Sequence, residues 1–172
     1  MRLAIRWIAL MLVVTSTSCF MCKKREPPST GKLEEIILVD SLPLLSGNKL
    51  TLAPLPQSPA RMFIYLDSIG CSCRISYLVD YNLFIDYSEL IGEEHFVPFV
   101  IASIRTNDSR NVVELLQYSR FNGQIFVDSA GVVCKNNPAM VTDGDWGVYP
   151  LDPEGRIARS GNPISDKALW NS

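Results

Sequence analysis

Histidine is almost missing from this chain: His95 is the only one in 172 residues. A metal or catalytic site built on two imidazoles is therefore excluded, and a lone histidine beside Glu93 and Glu94 lacks metal-ligand spacing to any cysteine pair. No G-x-S-x-G elbow and no phosphate-cradling glycine loop occurs, so neither serine hydrolysis nor nucleotide binding is indicated, and no cofactor is expected. An excess of positive charge is also lacking: 16 Lys and Arg against 18 Asp and Glu leave a net charge of −2. That balance gives no reason to expect a nucleic-acid partner. Internal repeats and low-complexity tracts are missing too. The longest early apolar stretch, Trp7 to Val14, falls short of the roughly 20 residues needed to cross a bilayer.

That short stretch instead reads as the core of an export signal. Arg2 and Arg6 supply a basic start, and Thr15-Ser16-Thr17-Ser18 a small, polar cleavage region. Cys19 follows directly. The arrangement resembles the lipobox of bacterial lipoproteins, which implies lipidation of Cys19 and anchoring to a membrane, with Ser16 standing where an aliphatic residue is usual. The alternative is ordinary cleavage that leaves Cys19 and Cys22 as free thiols. Lys23 to Lys32 is charged and contains Pro27, Pro28 and Gly31, a composition that cannot bury a core and reads as a tether. Cleavage before Cys19 removes Arg2 and Arg6 and leaves 14 basic against 18 acidic residues, a net charge of −4. The expected division is a signal over 1–18, a tether over 19–34 and one domain over 35–172, facing an oxidising cell-envelope compartment where disulfides persist.

Within the domain, Glu35 to Val39 reads as a strand. Leu42 to Leu55 reads as a hairpin turning at Ser46-Gly47-Asn48-Lys49. Pro54, Pro56 and Pro59 end it, and Met62 to Asp67 is a buried strand. Ile75, Leu78, Val79, Leu83 and Ile85 to Leu90 keep helical spacing. Phe96 to Ile104 is a central strand. Asp108 or Ser109 is placed to cap a helix with Val112, Val113, Leu115, Leu116 and Tyr118 on one face. Gln124 to Val127 is a short strand and Ala130 to Lys135 a short helix. Trp146 to Leu151 and Arg156 to Ala158 form a second hairpin around Asp152-Pro153-Glu154-Gly155. Ser165 or Asp166 caps a last helix ending near Trp170. Strands alternating with helices imply an α/β fold, a mixed sheet covered on both faces.

Chemistry concentrates at Gly70-Cys71-Ser72-Cys73-Arg74, between a buried strand and a helix start. Amide dipoles at a helix N-terminus stabilise a thiolate, the reactive form of cysteine. Residues two apart in a helix do not face each other, so a Cys71–Cys73 bond requires Cys71 to lie outside the helix. Gly70 and Ser72 permit that. Arg74 either lowers a thiolate pKa or is an exposed helix-start arginine. Asp67 and Ser68 either assist proton transfer or merely end the strand. Cys134 is either a buried core cysteine or a resolving partner for Cys71 or Cys73. Trp146 and Tyr149 are packing residues or line a partner groove.

The pattern resembles the thioredoxin fold, and more narrowly the exported, lipid-anchored thioredoxin-like proteins related to alkyl hydroperoxide reductases and to cytochrome-maturation thiol reductases. Three stretches carry it: Ser46 to Leu52, Phe63 to Cys73, and Val148 to Ile157. The resemblance implies a thioredoxin-like mixed sheet with an N-terminal β-hairpin extension. It further implies a cell-envelope thiol–disulfide oxidoreductase in which Cys71 attacks and Cys73 resolves, with protein thiols or disulfides as partners and a membrane reached through the lipid anchor. The chain departs from the family pattern in three places. Gly70 replaces a tryptophan, one residue is missing between the cysteines, and Trp146 stands where a cis-proline belongs. The alternative is therefore a catalytically degenerate thioredoxin-fold lipoprotein acting as a binding or scaffold module.

Overall fold

The computed structural model describes residues 35–67, 75–104, 109–138, 140, 146–158 and 164. Cys19, Cys22, the segment from Ser68 to Arg74, Asp108 and the expected helix after Ser165 lie outside those residues.

Strands β1 (Ser41–Ser46) and β2 (Lys49–Pro54) pair antiparallel from Ser41↔Pro54 to Ser46↔Lys49. Gly47 and Asn48 are left as a two-residue loop. Gly47 has φ +54°, the positive value that tight hairpin turns demand and glycine adopts freely. β3 (Ala60–Leu66) is the apolar run of the sequence, buried from Met62 onward. A 3-10 segment (Ser76–Tyr81) and helix α1 (Asn82–Ile91) then lead to β4 (Phe96–Ala102), which lies parallel to β3 over its full length. Helix α2 (Ser109–Tyr118) leads to β5 (Gln124–Val127), parallel to β4. The short helix α3 (Val132–Asn136) precedes β6 (Trp146–Leu151), antiparallel to β3. β1 meets β5 antiparallel at Leu44↔Phe126, which completes a six-stranded sheet in the order β2-β1-β5-β4-β3-β6.

Three parallel strands form the middle of the sheet, and such strands must be apolar on both faces. Alternation divides them accordingly. Met62, Ile64, Val100 and Ile125 pack with Ile75, Leu78, Tyr81 and Leu116 beneath the helices. Phe63, Tyr65, Phe99 and Phe126 pack on the other face with Leu42, Ile36 and Val133. Pro98 is tolerated inside β4 because pairing with β5 begins only at Phe99↔Gln124.

Four sequence expectations change. Glu35 to Val39 is not a strand: only Glu35 bridges, to Arg156. The Asn137 side chain takes over the backbone of Ile37, accepting from its N–H (2.7 Å) and donating to its carbonyl (2.9 Å), which leaves no ladder to form. Val79 and Leu83 are exposed, while Leu78, Tyr81, Ile85 and Ser88 face inward. The 3-10 turn advances about 120° per residue rather than 100°, so the apolar phase shifts before α1 begins. Tyr118 is 79% exposed at the end of α2, although Leu116 is buried. Arg156 to Ala158 makes only the bridge Leu151↔Ile157, not a second strand.

The turn before that bridge is built on Asp152. Its carboxylate accepts from the N–H of Glu154 (3.0 Å), the N–H of Arg156 (2.8 Å) and Arg156 Nε (2.8 Å). Partial burial pushes this carboxyl upward, but the hydrogen bonds and charge of Arg156 and the Glu154 amide outweigh it and hold it below the usual range.

Candidate functional site

The carboxyl ends of parallel strands are where α/β sheets gather reactive groups. Here the three ends are stitched together one residue beyond the strands. The N–H of Ser103 donates to the carbonyl of Leu66, and that of Asp128 to Ala102, each at 2.8 Å. Asp67, Ser103 and Asp128 thus mark one end of the sheet. The chain leaves β3 there at Asp67 and is next described at Ile75, where the helical segment opens. Trp146 pairs with Leu66 at this same end, so the position where the family expects proline lies beside the strand that leads to the cysteines.

Asp128 is 1% exposed. Its two carboxylate oxygens accept from the N–H groups of Val132 and Val133, both at 2.9 Å, and so start α3. A carboxylate on the first free amides of a helix satisfies donors that have no partner within it. Asn137 closes the other end, donating to the carbonyl of Val133 (2.8 Å) while it holds Ile37. α3 is thereby fixed on the face of the sheet that carries Phe63 and Tyr65.

Cys134 rides on α3. It is a free thiol, half-buried and packed against the second core cluster, near the core reading though not fully buried, while Cys71 and Cys73, its alternative partners, lie outside the described residues. Two phenols share its surroundings. Burial pushes Tyr65 well above the ordinary tyrosine range; the nearby Ser103 side chain opposes this, and the charges of Cys134, Asp67 and Asp128 add to it. Tyr149 is raised as well, chiefly by burial and then by Tyr65 and Cys134. Tyr65 is 0% exposed, and among the described residues its hydroxyl meets no partner at hydrogen-bonding geometry, Ser103 included. Tyr149 stacks on Phe63 with ring centroids 4.9 Å apart, which favours the packing role for it.

His95 belongs elsewhere. It is exposed in the turn before β4, at the opposite end of the sheet, 3.8 Å from a carboxylate oxygen of Glu94. Among the described residues no group of three or more His, Cys, Asp or Glu is placed to hold a metal ion. Sequence reasoning did not find Tyr65, Ser103, Asp128 or Asn137. Of these, Asp128 carried a signal: an acidic residue closing a strand shortly before an apolar helical segment is a helix-start pattern.

The sequence matches no protein-family model and no curated protein. Solved structures do match. An uncharacterized conserved protein from Geobacillus kaustophilus superimposes with a TM-score of 0.59 at 12% identity, covering 83% of this chain and 72% of that one. A putative thiol:disulfide interchange protein DsbE from Chlorobium tepidum gives 0.55 at 12% identity, covering 81% and 94%. The exposed lipoprotein thioredoxin of Streptococcus pneumoniae gives 0.53 at 15% identity, covering 76% and 93%. The chain has a thioredoxin-like fold. In that frame, β3, β4 and β5 are the parallel centre, and the hairpin β1–β2 is an extension beyond β5. The thioredoxin-like fold also accounts for β6 running antiparallel beside β3, next to the site end.

Proposed function

We propose that this chain is a cell-envelope thiol–disulfide oxidoreductase with an atypical C-x-C motif, exchanging disulfides with partner proteins. Residues 1–18 direct export, Cys19 carries the lipid, 19–34 tether the protein to a membrane, and 35–172 form the working domain. One observation carries the reading. β3 is a central parallel strand whose carboxyl end, at Leu66, is followed after a short stretch by a helical segment at Ile75. Cys71 and Cys73 fall in that stretch of sequence, the position of greatest reactivity in an open α/β sheet. Two structural neighbours, a putative thiol:disulfide interchange protein and an exposed lipoprotein thioredoxin, support the reading.

In the exchange, the Cys71 thiolate attacks a client disulfide, forms a mixed disulfide and releases one client thiolate. Cys73 then attacks Cys71, freeing the second client thiol and leaving a Cys71–Cys73 bond. The reverse sequence oxidises a client dithiol. A ring closed over one intervening residue is strained, which favours donation of the disulfide over strong reduction. The second reading is a binding module without catalysis. It is favoured by Trp146, which stands beside Leu66 where the family places proline. A redox titration of the full chain, followed by thiol trapping and peptide mass spectrometry, separates the two. The expected result is a reversible Cys71–Cys73 bond with a potential above about −300 mV, the level below which structural disulfides lie. No such bond at any poise leaves the binding module.

A further inference from the structure

The outward face of α1 and the 3-10 segment is apolar where a solvated helix should be polar. Tyr77 (62%), Leu83 (44%), Tyr87 (52%) and Leu90 (82%) stand exposed, and Leu83, Tyr87 and Leu90 follow one another at helical spacing. The inward face is already used by Leu78, Tyr81 and Ile85, so this stripe is surplus to the core. Its border is of one sign. Between Ile75 and Ile104 the sequence holds five carboxylates, Asp80, Asp86, Glu89, Glu93 and Glu94, and no Lys or Arg at all. All five side chains are exposed. The whole chain is only −2, so these thirty residues are balanced by an excess of base elsewhere.

The densest base in the chain is Lys23-Lys24-Arg25, preceded by the apolar pair Phe20-Met21. We propose that this segment docks on the outer face of α1, its bases against Glu89, Glu93 and Glu94 and its apolar pair on Leu83, Tyr87 and Leu90. Charge and hydropathy match on both sides, and an anionic lipid surface would be repelled by the same carboxylates. Reach permits it. Glu35 bridges Arg156, Ile157 bridges Leu151, Leu151 pairs with Arg61, and the Ala60 N–H donates to the carbonyl of His95. That path holds four cross-strand steps of about 5 Å and two one-residue steps along the chain, at most roughly 26 Å from the entry of the tether to His95, just beyond the end of α1 at Ile91. Residues 26–34 extend over roughly 33 Å. Joined to its target, the segment needs little intrinsic affinity, because tethering supplies a high effective concentration. The inference is independent of the redox reading, since it uses neither Cys71 nor Cys73.

Carbodiimide coupling of the full chain tests it, since this reagent joins only amines and carboxylates already in contact. Lys23 or Lys24 should couple to Glu89, Glu93 or Glu94 within a single chain, and coupling should fade in high salt. Trypsin should also cut after Lys23 to Arg25 at least roughly threefold faster in an E89K/E93K/E94K variant than in the parent, the effect of a few weak exposed pairs. Combining that variant with K23E/K24E/R25E should restore coupling, now from the reversed partners. These substitutions fall on exposed or tether positions and leave the core intact. Coupling only between two chains would assign the face to a second copy and overturn the proposal. Coupling of these lysines elsewhere, or cleavage indifferent to the variants, would overturn it as well.

Discussion

At the scale of single residues, Tyr65 is the most informative side chain of the site end. Its ring fills a core position that any aromatic residue would fill, while its hydroxyl is buried beside Ser103 without a bond. A buried unpaired hydroxyl costs about 1–3 kcal/mol of desolvation. Tyr65→Phe is therefore expected to leave stability unchanged or raise it by about 1 kcal/mol, read as a shift of the urea midpoint at constant slope. A loss of more than about 1 kcal/mol would mean that the hydroxyl has a partner in solution. From the sequence, Met62 to Leu66 was legible only as an apolar strand. Which of its residues carried an unpaired polar atom depends on what crosses above it, and that is set by α3, which opens only at Val132.

At the scale of elements, α3 shows how little a short helix owes to its own sequence. Val132–Asn136 is too short to persist alone, since helices under about 12 residues are marginal in water. Asp128 and Asn137 hold it at both ends, and both are buried. Asp128→Ala removes two hydrogen bonds to a charged acceptor and should cost about 2–3 kcal/mol. Cys134 should at the same time react faster with a maleimide, a change that peptide mass spectrometry assigns to this thiol alone. Unchanged labelling would show that α3 does not depend on its cap. The strands β3, β4 and β5 were legible because continuous apolar runs between turn signals have few other uses. Glu35 to Val39 misled for the opposite reason. Its β-branched composition describes a backbone that wants a partner, and Asn137 supplied one from outside the sheet. The 3-10 turn before α1 left no signature in the spacing, so the exposure of Val79 and Leu83 was not legible there.

At the scale of the whole molecule, two buried phenols tie the fold to pH. Tyr65 and Tyr149 both have folded pKa values above the ordinary tyrosine value. A raised folded value means that the stability these groups contribute is complete below the unfolded value of about 10 and is lost as pH rises beyond it. Urea midpoints should be level through neutral pH and fall above about pH 10. Tyrosinate absorbance from these two residues should develop together with the loss of secondary structure. Ionisation of both in a chain whose circular dichroism is still native would contradict their burial. The layer order of the molecule was readable in the sequence, since alternating strands and helices leave few arrangements. The cap of α3, the fate of the first segment and the burial of each phenol were not, because each is decided by contacts between distant parts of the chain.

The polarity of β3 has a mechanical consequence. The described chain begins at Glu35, beside Arg156 and near Arg61, at the amino end of β3. The cysteine motif follows Asp67, at the far end. A seven-residue strand spans roughly 23 Å, about the height of the sheet. If the protein hangs from Cys19, the end of β3 that leads into the cysteine motif lies remote from the mooring. Docking of residues 20–25 beside the amino end of β4 would keep the mooring at that pole, and the opposite end of the sheet would face outward, away from the membrane.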